Sequence, residues 1–408
     1  MLTQEQNDLL TKTGPGTPGV EMLRRCWQPA ALAEELPADG PPVPIRLLGE
    51  DLVLFRDEQG QPGLLGLHCS HRGADLSYGR LEDGGLRCIY HGWLYDLHGH
   101  CLEQPGEPAG STFYEKIQHK SYPCKEVGGL ILAYLGPGEP PLVPMYDNLM
   151  APDDRRRNIK CYRECNYLQG NEGNIDSVHL SFLHWQAPRW REHPQFEEID
   201  LQPTNFGIRN FWIRKLAPDK HYIHITSFVM PNIGGFGGPT GQGYSFNWHV
   251  PIDDTHHWEY GISFRYELPT DAPRWPLQDR EIGPDYHPRR NPSNRYLQDR
   301  EEMKTSTFIG LGNGFYGHDG LATEGAGPIQ DRTQEHLGFG DKTIVAQRMM
   351  LLKAIADVKA GDDPLGVVRN PEQNKFEIVI GGDEISPDRD YRTYWREQLH
   401  PLVSSGFR

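Results

Sequence analysis

Cys69-Ser70-His71 and Cys88-Ile89-Tyr90-His91, with sixteen residues between them, decide how this 408-residue chain is read. Each short loop supplies one thiol and one imidazole. Two thiolates with two imidazoles hold either a tetrahedral zinc ion or a [2Fe–2S] cluster in which two histidines replace cysteines on one iron and raise its potential. Zinc fingers usually pair cysteine with cysteine and histidine with histidine, whereas here both loops are mixed. The mixed arrangement lets the two cysteines take one iron and the two histidines the other.

The residues around these loops predict a small all-β domain. Short apolar runs at 45–48, 52–55, 64–67 and 129–133 are broken by Gly, Pro and Asp. Gly73, Gly84, Gly85 and Gly92 permit the tight turns such loops need. Before this domain, residues 1–23 carry a brief helical pattern (Leu2, Leu9, Leu10) and a Gly-Pro run at 14–19, which reads as an arm. After it, the Pro-rich stretch 136–141 and the charge cluster 153–157 read as a linker, giving a first domain at 24–140 and a second at 141–408. The second alternates extended segments (206–214, 221–230, 257–268) with a few helices. The clearest helix is 341–359, with Ile344, Met349, Leu351, Leu352, Ile355 and Val358 apolar and Gly361 as its stop. Residues 271–300 are rich in Pro, Arg and Asp and read as a surface excursion or lid. The fold class is therefore α+β.

Composition narrows the function. A net charge of −15 gives no electrostatic footprint for nucleic acid or an anionic membrane. The longest apolar stretch, around 130–135, is far too short to span a bilayer, and the N-terminus lacks a signal-peptide pattern, so a soluble cytoplasmic protein is expected. Seven irregularly spaced cysteines do not make a disulfide framework. No GxGxxG fingerprint follows a strand, so no nicotinamide or flavin site is expected in this chain.

A second constellation lies at 166–184, where Asp176, His179 and His184 fall close together. On a helix Asp176 and His179 would share a face, and the five-residue step to His184 requires a distortion or a helix end. Two imidazoles and one carboxylate, leaving coordination positions open, make the facial triad of non-haem Fe(II) oxygenases.

The loops CSHRGADLSYG (69–79) and CIYHGWLYD (88–96) resemble those of the Rieske proteins among aromatic-ring hydroxylating oxygenases. With NYLQGNEGNIDSVHLSFLH (166–184), NRYLQDREEM (294–303) and GPIQDRTQEHLG (327–338), the whole chain resembles the oxygenase subunit of the phthalate dioxygenase type, a branch that includes aromatic O-demethylases. The resemblance implies an N-terminal all-β Rieske [2Fe–2S] domain and a larger catalytic domain with a central antiparallel sheet flanked by helices. Cys69, His71, Cys88 and His91 would hold the cluster, and His179 and His184 a mononuclear Fe(II). Asp176 matches the carboxylate that bridges this iron site to a cluster histidine of the neighbouring subunit. The third ligand is expected at Asp319, five residues before Glu324, with Asp331 as competitor and Arg332 suggesting a structural pairing for the latter.

The same resemblance implies a head-to-tail homotrimer, or a stacked hexamer, O2 as co-substrate and a separate NAD(P)H-dependent reductase. An aromatic carboxylic acid would be the substrate, either dihydroxylated or O-demethylated. Phe206, Phe211, Trp212, Phe228, Phe246 and Trp248 are candidates to line its pocket, and Arg209, Arg214 or His249 to meet its carboxylate. A soluble Rieske electron carrier is the alternative, against which the long second domain and its Asp-His-His set argue. A zinc-stapled binding protein is the third reading.

Overall fold

The computed structural model describes residues 1–184, 192–267, 281–312 and 314–398. Three small antiparallel sheets form the N-terminal β region. The first joins Gln28–Leu32, Leu130–Ala133 and Cys124–Val127, and the second Val43–Leu47, Glu50–Arg56, Pro62–Gly66 and Ser121–Tyr122. The third joins Arg80–Glu82, Gly85–Arg87, Leu94–Tyr95 and Cys101–Glu103. Side chains alternate across a strand, and Glu50–Arg56 uses this to serve two cores. Leu52 and Leu54 join the large core of the molecule, while Val53 and Phe55 pack with Cys69, Leu76, Cys88, Trp93 and Tyr95 beneath the paired Cys/His loops.

The N-terminal segment is not an arm. Helices Gln4–Thr11 and Pro18–Arg24 bury Leu10, Val20, Met22 and Leu23 completely, and Tyr167 Oη donates to Leu10 O at 2.9 Å. The Gly-Pro run is the turn between them, closed by Thr17 Oγ1 donating to Gly14 O at 2.7 Å.

The second region is built on an eight-stranded antiparallel sheet. Its spatial order is Arg156–Arg163, His257–Phe264, Ser245–Pro251, Ile233–Phe236, Lys220–Val229, Gly207–Ala217 and Glu198–Pro203, with Gly381–Ile385 pairing to Lys220–Val229. Because its central strands are covered on both faces, the expected aromatic pocket is instead core. Phe206, Phe228, Phe246 and Trp248 belong to the large core, Phe211 packs with Tyr394 and Trp395, and Trp212 is fully buried. Helix Lys342–Ala360 stops at Gly361, whose φ of 98° suits glycine. Met349 is 58% exposed rather than apolar core, since it faces away from Ile344, Leu351 and Ile355, and Gln347 and Arg348 take the buried positions. Of the expected lid, 281–300 runs as turns around the short helix Pro292–Leu297, and 271–280 lies outside the described residues.

Asp147, accepting from Tyr266 Oη at 3.2 Å, is pushed up to about 6 by burial. A carboxyl raised in the fold contributes stability that is complete below its unfolded value of 3.8 and lost as pH rises to about 6. Asp147→Asn is therefore expected to gain stability relative to the parent at pH 8 but not at pH 4, by on the order of 1–3 kcal/mol. Denaturation midpoints at the two pH values check this, and equal differences at both would refute it.

Candidate metal centres

The two Cys/His loops meet at the end of the N-terminal β region. Cys69 and Cys88 are 3% and 2% exposed, and the rings of His71 and His91 lie 4.5 Å apart. Trp93 stacks on His71 at 4.5 Å with a 7° interplanar angle, fixing that ring. Burial pushes the Cys88 thiol up and Cys69 beside it adds to this, while the backbone N–H groups of Tyr90 and His91 favour its thiolate. His71 Nδ1 is buried without a hydrogen-bond partner. A buried, unpartnered imidazole nitrogen on loops that also carry two buried thiols is a donor set that a metal cluster would satisfy. Tyr95 Oη reaches Cys69 Sγ at 3.2 Å, a contact the sequence did not advertise. Outside, Ile89 and Tyr90 are 60% and 56% exposed, so the tip of the second loop is an apolar surface.

The second centre is assembled from the stretch that follows one buried helix and from a second, partly buried helix. Helix Tyr167–Ile175 starts at Asn166, whose Oδ1 caps Leu168 N at 3.1 Å. It can lie against the sheet only because residue 170 is glycine: a Cβ there would sit 2.6 Å from His249 Nδ1 and 2.9 Å from His257 Nε2. The helix ends sooner than the i, i+3 pairing of Asp176 and His179 predicts. Asp176 is extended, its Oδ1 accepting Val178 N at 2.7 Å, and His179 begins a separate 3₁₀ turn, His179–Ser181. This local side-chain bond competes with the helix and stops it.

Helix Phe315–Glu324 brings in Asp319. It is held by Arg163, which donates to Tyr316 O at 2.9 Å and pairs with Glu259 at 2.6 Å, and by the Tyr296 hydroxyl on Glu324. Gly320 makes room for the guanidinium, since a Cβ there would lie 2.7 Å from Arg163 Nη1.

Ligand atoms of His179, His184 and Asp319 all lie within 4.8 Å of one another. Asp319 Oδ1 is 2.9 Å from His184 Nε2 and 3.9 Å from His179 Nε2. Burial raises the Asp319 carboxyl, but the two histidines and Arg163 outweigh it and hold it below the usual carboxylate range. Hydrogen bonds on the far sides of both rings orient them. Asp176 Oδ2 takes His179 Nδ1 at 3.2 Å. His318 Nε2 lies 3.1 Å from the Gly312 carbonyl, which can only accept, so neutral His318 presents Nδ1 as acceptor to His184 Nδ1–H at 3.2 Å. Both rings thus turn Nε2 towards Asp319, the far nitrogen being held by its own partner, an orientation typical of metal-binding histidines. His318, 2% exposed, is an orienting residue outside the set expected from the sequence. Asp331 is excluded as a member of this group: it is exposed, bonded to Thr333, and its neighbour Arg332 pairs with Glu172 instead.

Two cavities lie beside the turn that bears His179. One of about 220 Å³ reaches Asp176, His179 and Asp319 past Gln330, Glu335 and Arg348. The other, about 20 Å³, is lined by Ser177, Leu180, Phe196, Arg214, Tyr222 and His224. Arg214 donates to Ser181 Oγ at 3.2 Å and lies 4.3 Å over the Phe196 ring, while Ser177 Oγ contacts His224 Nδ1 at 2.9 Å. Burial, with Arg214 and His179 nearby, pushes His224 down to about 4, so its ring is neutral. Of the other expected carboxylate partners, Arg209 is committed to Gln202 and lies over Trp395, and His249 to His257 and Asn174.

Residues 26–123 match the Rieske [2Fe-2S] domain, and residues 133–400 match a family described as LigXa C-terminal domain like. The phthalate 4,5-dioxygenase oxygenase subunit of Pseudomonas putida is 35% identical, over 97% of this chain and 95% of its own length. The chain belongs to the Rieske non-haem iron oxygenases. The 5,5'-dehydrodivanillate O-demethylase oxygenase subunit of a Sphingobium strain is 33% identical over 92% of this chain and 85% of its own. In fold, the terminal oxygenase of carbazole 1,9a-dioxygenase from Novosphingobium sp. KA1 superposes with a TM-score of 0.60 at 21% identity, covering 86% of this chain and 96% of that one. As a Rieske oxygenase subunit of this kind the protein is an enzyme with two iron centres, a [2Fe–2S] cluster and a mononuclear iron. Among the described residues no helix is long and apolar enough to cross a membrane.

Proposed function

We propose that this oxygenase hydroxylates an aromatic carboxylic acid, with 24–140 as its cluster domain and 141–408 as its catalytic domain, working in the cytoplasm. Cys69, His71, Cys88 and His91 hold the cluster in this reading, and His179, His184 and Asp319 hold the mononuclear iron. Those centres supply electrons and O2 activation when bound. The protein's own residues do the rest. Asp176 and His318 fix the His179 and His184 rings by their far nitrogens, so neither ring must reorient.

The substrate class rests on one observation: Arg214 and Ser177 line a cavity against the very turn that bears His179, next to the Phe196 ring. A guanidinium recognises carboxylate, and the flanking ring suits an arene. The names of the phthalate and dehydrodivanillate relatives, both of which refer to aromatic acids, support the same class. Phe196 and Tyr222 must shift to admit a ring, since the cavity is only about 20 Å³. Arg214→Met is expected to raise KM about 10- to 100-fold with kcat nearly unchanged, the loss of one charged hydrogen-bonding partner. An unchanged KM would remove Arg214 from substrate recognition.

The wider cavity beside Asp176 is proposed as the face covered by a neighbouring copy in a homotrimer, its apolar loop tip at Ile89 and Tyr90 approaching Asp176. Electrons would enter from a separate NAD(P)H-dependent reductase. Product analysis tests the function. Oxygenase, reductase and NADH are given phthalates, halobenzoates and methoxybenzoates under O2. A diol without formaldehyde makes this a ring dioxygenase, and formaldehyde makes it an O-demethylase. Neither product, from a protein whose cluster reduces and reoxidises, would overturn the substrate class.

A further inference from the structure

His119 has no part in the chemistry described so far, yet it is a buried imidazole, 3% exposed, wedged against the first cluster loop. Its backbone is fixed by donating to Gly99 O at 2.7 Å, just before strand Ser121–Tyr122, which pairs with Pro62–Gly66. Its side chain makes three contacts. Nε2 lies 2.8 Å from the Gly66 carbonyl, Nδ1 lies 2.7 Å from Ser70 Oγ, and the ring packs on Tyr95 at 4.7 Å with a 33° tilt.

These contacts determine where the proton sits. The Gly66 carbonyl can only accept, so Nε2 carries the hydrogen. Burial keeps the ring neutral, which leaves Nδ1 as an acceptor, and the Ser70 hydroxyl donates to it. Ser70 stands between Cys69 and His71, so the loop that bears two of the four cluster residues is tied to the β-sheet through one imidazole. The same imidazole supports the Tyr95 ring, whose hydroxyl is 3.2 Å from Cys69 Sγ. Against a cysteinate sulfur, which has no proton to give, the phenol is the donor.

We propose that His119 is a positioning residue for the cluster: by tethering Ser70 and supporting Tyr95 it sets the Tyr95–Cys69 hydrogen bond, and through it the reduction potential. Hydrogen bonds to cluster sulfurs are among the features that set the potential of iron–sulfur centres. The proposal rests on Cys69 being a cluster ligand.

The test is a reductive titration of the purified oxygenase, with iron and sulfide content measured alongside. His119→Gln still offers an N–H to Gly66 O but removes both the acceptor for Ser70 and the ring beneath Tyr95. Tyr95→Phe is expected to shift the reduction equilibrium towards the oxidised form roughly tenfold, about 59 mV for a one-electron couple. His119→Gln is expected to shift it in the same direction by a smaller amount at full cluster content, and the double variant to match Tyr95→Phe alone. Ser70→Ala, at an exposed residue, serves as the second variant if His119→Gln fails to fold, and is expected to shift the potential the same way. A shift in Tyr95→Phe with none in His119→Gln or Ser70→Ala overturns the role of His119. Additive shifts in the double variant overturn the route through Tyr95. Cys69→Ala separates the underlying ligand assignment, since a protein that keeps its full cluster without Cys69 refutes that assignment itself.

Discussion

Substituting His179 with alanine is expected to abolish product formation while the protein still reduces and reoxidises its cluster. The two constellations are separate in the fold: Cys69 and Cys88 belong to a core with Val53, Phe55 and Tyr95, and His179 lies on the turn after helix Tyr167–Ile175. Removing the His179 imidazole takes one of three converging donors from the iron site and leaves Asp176 without the N–H at 3.2 Å. Loss of a group that merely orients a ligand costs 10- to 100-fold in affinity or activity, so loss of the ligand itself should cost more than about 100-fold in kcat/KM. The measurement pairs turnover with iron content and the visible spectrum of the cluster. The same variant separates the oxygenase from a simple electron carrier, which would lose nothing. Turnover within tenfold of the parent would strike His179 from the ligand set.

How legible these centres are depends on how far their parts lie apart in the chain. Cys69, His71, Cys88 and His91 sit on two short loops whose spacing is itself the signal. His179 and His184 are equally local. Asp319 comes from a helix 135 positions beyond His184, so only its offset within a family pattern could point to it. Asp176, three residues before His179, is local too, but the other supporting groups leave no local trace. His318 meets His184, His119 meets Ser70 and Tyr95, and Arg214 meets Ser181 only after the chain has folded back on itself. The aromatic residues at 206–248 were misleading for a different reason. A sheet covered on both faces places apolar side chains on both sides of each strand, and such a run looks the same whether its aromatics line a pocket or fill a core. The helical pattern at Leu2, Leu9 and Leu10 marks the first N-terminal helix, but its docking and the second helix were hidden by composition, since a Gly-Pro run marks a tight turn as readily as a flexible arm.

Glu172→Gln is expected to be the most damaging single change to stability, at about 3–5 kcal/mol, the usual cost of leaving a buried charge uncompensated. Glu172 lies on the helix that leads to Asp176. Its Oε2 is 2.8 Å from Arg332 Nη2 and its Oε1 is 2.6 Å from Arg348 Nε, with the two arginine side chains 0% and 3% exposed. Glutamine keeps the shape and removes the charge. Arg348 then retains Glu335, but Arg332 keeps only neutral acceptors, among them the Gln330 carbonyl at 3.3 Å and Asn7 Oδ1 at 3.4 Å. Acid should imitate the substitution. Burial raises the Glu172 carboxyl, but Arg332 and Arg348 more than reverse this and hold it below its ordinary value of 4.5. A carboxyl lowered in the fold contributes stability that is complete above its unfolded value and lost as pH falls through its folded one. The gap between parent and Glu172→Gln should therefore be full at pH 7 and narrow below pH 4.5. Denaturant midpoints of both proteins across that range check the prediction. A loss under about 1 kcal/mol at pH 7 would place this ion network among those that hydrophobic packing alone could replace, and a gap that widened in acid would contradict the sign of the shift.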